Sequence, residues 1–310
     1  YTFYGVAPNV KIVSLKVLSS NGTGTDAEVI AAIDRAIELK DTYNIRVLNL
    51  SLGRAVFESY RQDPLCLAVE RAWAAGIVVV AAAGNEGRNN EFGTQGYGTI
   101  ASPANHPLVI TVGAMRTMST PSRGSDLIAS YSSKGPSAVD QVVKPDILAP
   151  GNRITAAINS SGHIYQTQSL NRIYFSLYET GTSGISNEYY QLSGTSMATP
   201  VVAGAAALML EKEPGLTPDT VKARLMRSAT KAFPTASSVY DPVTKQSFAT
   251  QYDLFTVGAG YLDMWAAMSE TAVAGGTGAA ASPSAVFDAA TASVRIVNDS
   301  VFALLINHID

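Results

Sequence analysis

Apolar, β-branched runs recur along this chain with amphipathic stretches between them, and that alternation leaves few folds open. Residues 11–18, 46–52, 77–83 and 108–114 are apolar enough to be strands buried on both faces, and 146–149 is a shorter one. Between the first two, Thr25 and Glu28 have the spacing of a capping box, and Val29, Ile33, Ala36 and Ile37 then share one helical face. Between the second and third, Pro64 opens and Gly76 closes a helix through Cys66, Val69 and Trp73. This order builds an α/β fold with a mostly parallel central sheet flanked by helices.

The 310 residues are 46% hydrophobic and 15% charged, which suffices for a full core and makes one large domain the default. With a net charge of −3 and no cluster of Lys and Arg able to track phosphates, nucleic acid is not an expected partner. No segment approaches the ~20 uninterrupted apolar residues that span a bilayer, so no membrane partner is expected either. The single cysteine, Cys66, excludes an intrachain disulfide and, between Leu65 and Leu67, reads as a packed core thiol. The chain opens at Tyr1 just ahead of its first apolar run, with neither an initiator methionine nor a signal peptide, which reads as a cut end.

Two stretches break the rhythm. Residues 159–191 are rich in Ser, Gly, Tyr and Asn without periodicity and read as a long loop insert overhanging whatever follows. Residues 275–284 have the Gly/Ala/Ser composition of a linker, which would divide a main body over 1–274 from a tail over 275–310. In that tail, 293–298 and 300–306 read as two short strands of a hairpin around Asn298-Asp299, the start of a β-rich extension. After the apolar run 201–210, Thr217 and Pro218 cap a helix expected to reach about Lys231.

The chemistry concentrates in Gly194-Thr195-Ser196-Met197-Ala198-Thr199-Pro200, which sets a serine where a loop turns into a long helix. Residues 201–210 carry no charge, so that helix is expected to be buried on all sides. Its N-terminus offers unpaired N–H groups and the positive end of the helix dipole to a developing oxyanion. Ligands of an open parallel sheet bind beyond the carboxyl ends of its strands, and two such ends stand out. One is Asn49-Leu50-Ser51-Leu52-Gly53; the other is Ala82-Ala83-Gly84-Asn85-Glu86-Gly87, where Asn85 can present its amide as a second oxyanion donor.

Together these motifs resemble the subtilisin-like serine proteases, the subtilases. The heptapeptide around Ser196 matches their serine motif, residues 79–87 their oxyanion-asparagine turn, and Ser51-Leu52-Gly53 their substrate-cradling strand. Gly5-Val6-Ala7-Pro8 with 11–18, then 108–114 and Ala149-Pro150-Gly151, continue the likeness in order over about residues 5 to 268. The resemblance implies the three-layer subtilisin-like fold without its N-terminal elements, and a serine endopeptidase. Ser196 would be the acylated nucleophile and Asn85 a donor to the oxyanion. Ser51, Leu52 and Gly53 would pair with the substrate backbone, and Ala82, Ala83 and Gly84 would wall the pocket for the residue before the scissile bond. Ala101 would close that pocket and, being small, leave room for a large apolar side chain. Family likeness favours secretion. It requires no cofactor; many subtilases hold structural calcium, but no dense Asp/Asn loop assigns a metal ligand here.

The family's acid and histidine motifs are absent. Both precede the Gly5-Val6-Ala7-Pro8 segment in subtilases, so the expected partner, besides a polypeptide substrate, is an N-terminal segment of the same precursor supplying Asp and His. His106, His163 and His308 each read as ordinary solvated or capping histidines, not as the base. An α/β-hydrolase elbow fails because Ala198 replaces its last glycine and its acid and histidine would have to follow the serine. The alternative from another class is a non-catalytic fragment or pseudoprotease that binds extended peptides along Ser51–Gly53.

Overall fold

In the computed structural model, which describes residues 3–120 and 122–297, the capping box forms as its spacing predicts. Glu28 N donates to Thr25 Oγ1 (3.3 Å) and Thr25 N donates to Glu28 Oε2 (2.8 Å). Helix α1 (Asp26–Glu38) follows and buries Val29, Ile33 and Ala36; a short α2 (Lys40–Tyr43) leads to β1 (Val47–Leu50). Pro64 starts α3 (Pro64–Ala74) with Asp63 as N-cap, and Cys66 and Val69 are fully buried. β2 (Val78–Ala82), β3 (Ile110–Arg116), β4 (Leu127–Ile128) and β5 (Ile147–Pro150) complete a five-stranded sheet. β1, β2 and β3 run parallel in that order, β5 joins β3 in parallel, and only the two-residue β4 is antiparallel. This is the mostly parallel α/β sheet that the sequence predicts.

One expected strand is missing. Residues 11–18 have no regular secondary structure and join no ladder, and Ile12 is 83% exposed. An apolar run becomes a strand only where ladder partners take its N–H and C=O groups. β1 pairs with β2 alone among the described residues, which leaves its other edge without a strand partner.

The insert is not irregular. It folds as α4 (His163–Thr167), β7 (Arg172–Tyr174) and β8 (Ile185–Leu192), whose strands form an antiparallel sheet with the preceding β6 (Ile154–Ala157) in the order β6-β8-β7. Its cohesion comes from ring contacts, which leave no periodic signature: Tyr178 and Phe3 both meet Tyr189 edge-on, with centroids 5.0 and 4.8 Å away, and Tyr165 leans on Tyr190. β8 delivers the chain to α5 (Thr195–Lys212), which lies against β1, β2, β3 and β5. α5 is not buried on every side. Val201, Gly204, Ala207 and Leu208 form a half-buried stripe, and a Cβ on Gly204 would come within 2.8 Å of Val6. α6 (Pro218–Ser228) ends three residues before Lys231.

A hairpin that the sequence did not reveal, β9 (Ala236–Asp241) and β10 (Gln246–Gln251), is held by Arg88, which pairs with Asp241 and lies 4.4 Å over the Phe248 ring. α7 (Leu254–Val257) and α8 (Met264–Ser269) follow. The expected linker at 275–284 is instead fastened to the main body. Ala280 N donates to Asp219 Oδ1 (3.0 Å), Ser282 N to Pro107 O (2.9 Å), and Val143 N to Pro283 O (2.8 Å). Small residues here allow close backbone approach, a demand that composition cannot tell from flexibility. The hairpin beyond it is β11 (Ser284–Asp288) with β12 (Ser293–Val297), one strand earlier than expected; 298–310, with the expected strand 300–306 and His308, lie outside the described residues.

Under this fastening sits a dry charge cluster. Asp146 receives Lys144 Nζ at 2.7 Å and Lys222 Nζ at 3.2 Å, and all three side chains are 0–1% exposed. Ser282 Oγ also donates to Asp146, and Lys222 Nζ reaches Pro107 O (2.7 Å). One carboxylate cannot balance two ammonium groups. Burial pushes Lys144 down to about 7 against the pull of Asp146, with Lys222 adding to the depression. The unfolded chain therefore binds a proton that the folded chain lacks between about pH 7 and the ordinary lysine value of about 10.4, so stability should rise with pH across that window. Urea unfolding from pH 7 to pH 9 checks the sign, and Lys144→Met should flatten the rise. Asp146→Asn removes the carboxylate that both lysines contact and should cost about 3–5 kcal/mol in the same measurement.

Candidate active site

The site forms where the first turn of α5 meets the ends of β1 and β2. Pro200 lies inside α5 and has no N–H, so the carbonyl four residues earlier, Ser196 O, receives no helical hydrogen bond. Ser51 Oγ, just past β1, donates to it at 2.8 Å. In return Ser196 Oγ donates to Ser51 O at 3.1 Å. The two serines thus hold each other, and the half-buried Ser196 hydroxyl is fixed at the carboxyl edge of the sheet.

The β2 side is tied as firmly. Thr195 is fully buried; its N–H donates to Asn85 Oδ1 at 2.9 Å, and its Oγ1 lies 3.1 Å from the same oxygen and accepts from Gly84 N at 3.2 Å. Because a backbone N–H can only donate, the atom of Asn85 facing it is the amide oxygen, and Nδ2 is turned away. Asn85 is exposed, and neither its Nδ2 nor Ser196 N has a hydrogen-bond partner among the described residues. The first turn of α5 thus keeps one unspent N–H, that of Ser196, and the neighbouring Asn85 amide keeps its two. Gly84 at φ +110° makes the turn, and a Cβ there would come within 2.7 Å of Ser133 Oγ.

The remaining sequence-derived residues gather around this centre. Leu52 is half-buried, Gly53 is exposed, and neither forms a backbone hydrogen bond among the described residues, so the edge beyond β1 is open. Ala82 and Ala83 are buried in and beside β2, and Ala101 N donates to Ala83 O at 2.9 Å. A Cβ on Gly53 would lie 3.0 Å from Ala101 Cβ, so the 51–53 edge and the Ala101 loop close on each other.

No histidine reaches Ser196 among the described residues. His106 is 1% exposed; its Nδ1 accepts from Leu108 N (3.2 Å) and its ring meets Tyr60 edge-on. Burial, with Lys144 and Lys222 adding to it, pushes His106 down to about 3, so it stays neutral and its 3.8 Å approach to Glu70 is no ion pair. His163 begins α4 and is exposed. Nor do three His, Cys, Asp or Glu side chains gather to hold a metal among the described residues.

The model of the subtilase family matches residues 2–260. The chain belongs to the subtilase family. It is 38% identical over 234 residues to serine protease AprX of Bacillus subtilis (strain 168), covering 74% of this chain and 48% of that protein. To subtilisin DY of Bacillus licheniformis it is 38% identical over 226 residues, 73% of this chain and 63% of the relative. An extracellular serine proteinase of Thermus sp. (strain Rt41A) is 35% identical over 241 residues, 78% of this chain and 46% of the relative. The subtilase thus spans from about half to under two thirds of these relatives. Among solved structures, sphericase superposes with a TM-score of 0.53 at 25% identity, covering 79% of this chain and 66% of that one. The prenylagaramide maturation protease PagA shares the fold with a TM-score of 0.51 at 23% identity, over 86% and 75% of the two chains.

Thr195 and the structural part of Ser51 were missed in the sequence. Pro200 five residues into a helix was the available signal, since it frees one particular carbonyl. Ser51→Ala should strand that carbonyl and cost about 1 kcal/mol, while Pro200→Ala in the same background should restore an N–H and recover part of the loss. A double-mutant cycle in urea checks the coupling.

Proposed function

We propose that this subtilase is the nucleophile-bearing part of a serine endopeptidase. Ser196 Oγ attacks the scissile carbonyl, the C–N bond breaks from the tetrahedral intermediate, and water then releases the acyl group from Ser196. The observation that carries this reading is the pair of unspent donors, Ser196 N on the nucleophile itself and Asn85 Nδ2, whose amide is oriented by Thr195 N one residue before Ser196. Their fixed orientation offers stabilisation to the oxyanion without reorganisation. The polypeptide substrate lies along Ser51–Gly53 as an added strand, with the side chain before the scissile bond between Ala82–Gly84 and Ala101.

The reaction needs a base to accept the Ser196 proton, which now points at Ser51 O, and to give it to the leaving amine as the C–N bond breaks. We assign that base, a histidine with its aspartate, to an N-terminal segment of the same precursor outside this chain. No cofactor enters the mechanism. The Thermus relative described as extracellular supports a secreted protein.

This chain alone should hydrolyse peptides slower by about 10⁴-fold or more than the natural full-length protein, because triad members act as a unit. Turnover assays on both, with a serine-directed phosphonate to count competent Ser196, check this. Equal turnover would refute the external base, and a full-length protein that binds extended peptides without cleaving them would favour the pseudoprotease. In the full-length protein Asn85→Ala should lower kcat by about 10²–10³-fold with little change in KM.

A further inference from the structure

The loop bearing Ala101 is held to the 51–53 edge by more than contact. Arg54 N donates to Ser102 O (3.0 Å) and Ser102 N donates back to Arg54 O (2.8 Å), directly beyond Gly53 and Ala101. The Arg54 guanidinium then bridges two carboxylates, Nε to Asp26 (2.7 Å) and Nη2 to Asp63 (2.8 Å). Asp63 is fully buried, and its other oxygen receives Ser102 Oγ at 2.7 Å. Its first oxygen also caps α3 by accepting from Leu65 N (2.9 Å).

One dry carboxylate therefore takes donors from three places: the pocket edge through Arg54, the pocket loop through Ser102, and the rigid helix α3. Nothing in catalysis uses this network, and a surface loop does not need a buried ion pair to stay attached. Charge-assisted hydrogen bonds to a group locked at a helix end restrain geometry far more than loop packing does. Their directions fix the closed contact between Gly53 and Ala101, where even a single Cβ would be crowded, and so fix where Ala101 stands relative to Ala82–Gly84.

We propose that Asp63, acting through Arg54 and Ser102, is a positioning residue that sets the width of the pocket for the residue before the scissile bond, and with it the size of side chain accepted. The proposal rests on the protease reading above. It separates from the family resemblance, which assigns the pocket walls and not what fixes their spacing.

The test uses the natural full-length protein and two peptide substrates identical except for Phe or Ala before the scissile bond. Asp63→Asn keeps the cap acceptor and removes the charge. Ser102→Ala, which leaves the Arg54 pair intact, serves if Asp63→Asn does not fold. Val69→Ala, in the core face of α3 away from the network, is the control for lost stability alone. The expected result is a change of about five- to tenfold in the Phe-to-Ala ratio of kcat/KM, carried by KM, with kcat on the better substrate within about twofold. The control should lower Tm and leave the ratio unchanged. If the network variants lower Tm without moving the ratio, or Val69→Ala moves it equally, the positioning role is overturned. A wild-type protein that cleaves neither peptide overturns the protease reading itself, and the proposal with it.

Discussion

Pro200 removes one hydrogen bond from α5, and the site grows out of that gap. The freed Ser196 carbonyl takes the Ser51 hydroxyl, which fastens the helix start to the end of β1. Thr195, one residue earlier, fastens the same turn to the end of β2 through Asn85 and Gly84. A helix N-terminus has orphan N–H groups in any protein. Here one is spent on orienting Asn85 and the next, that of Ser196, is left free. This division of labour between two adjacent backbone amides leaves the junction with an unspent donor beside the Ser196 side chain, which is what the proposed oxyanion hole requires.

Behind the sheet, a second set of polar groups does for the C-terminal run what this junction does for the helix. Asp146, Lys144, Lys222 and Ser282 bring together β5, α6 and the segment that leads to β11. The desolvation cost of such a cluster makes it a poor source of stability compared with apolar packing. What it supplies is geometry, since an Asp with fixed donors admits only one placement of Ser282. The same logic recurs at Asp63, where a single dry carboxylate positions a strand edge, a loop and a helix. In both places a carboxylate without water is the fixed point from which neighbouring backbone is hung.

The sheet, α1, α3 and the helix behind Ser196 were legible because their signals are local: β-branched runs, a capping box at Thr25 and Glu28, Pro64 at a helix start. Residues 11–18 carry the same signal yet form no ladder, since pairing depends on a neighbour and not on the run itself. The insert was misread for the opposite reason. Its order comes from rings packed edge-on, which have no period, and from a β6-β8-β7 sheet whose partners are distant in sequence. At 275–284 small residues suggested slack, but they serve close approach to Pro107 and Asp219.

For the site, the sequence by itself determined the family and the candidate residues: Ser196 in its heptapeptide, Asn85 in its glycine turn, and the Ser51–Gly53 edge. These are short motifs whose chemistry is readable from residue type and spacing. Tertiary structure alone decided how they act together. It chose which amide N–H orients Asn85 and which stays free, it gave the Ser196 carbonyl to Ser51, and it joined Arg54, Asp63 and Ser102 behind Gly53 and Ala101. Those are contacts between residues nine to 145 positions apart, fixed by burial and hydrogen-bond direction. No local pattern encodes such contacts, because their energy arises only once the chain has folded and water has been excluded from the polar groups involved.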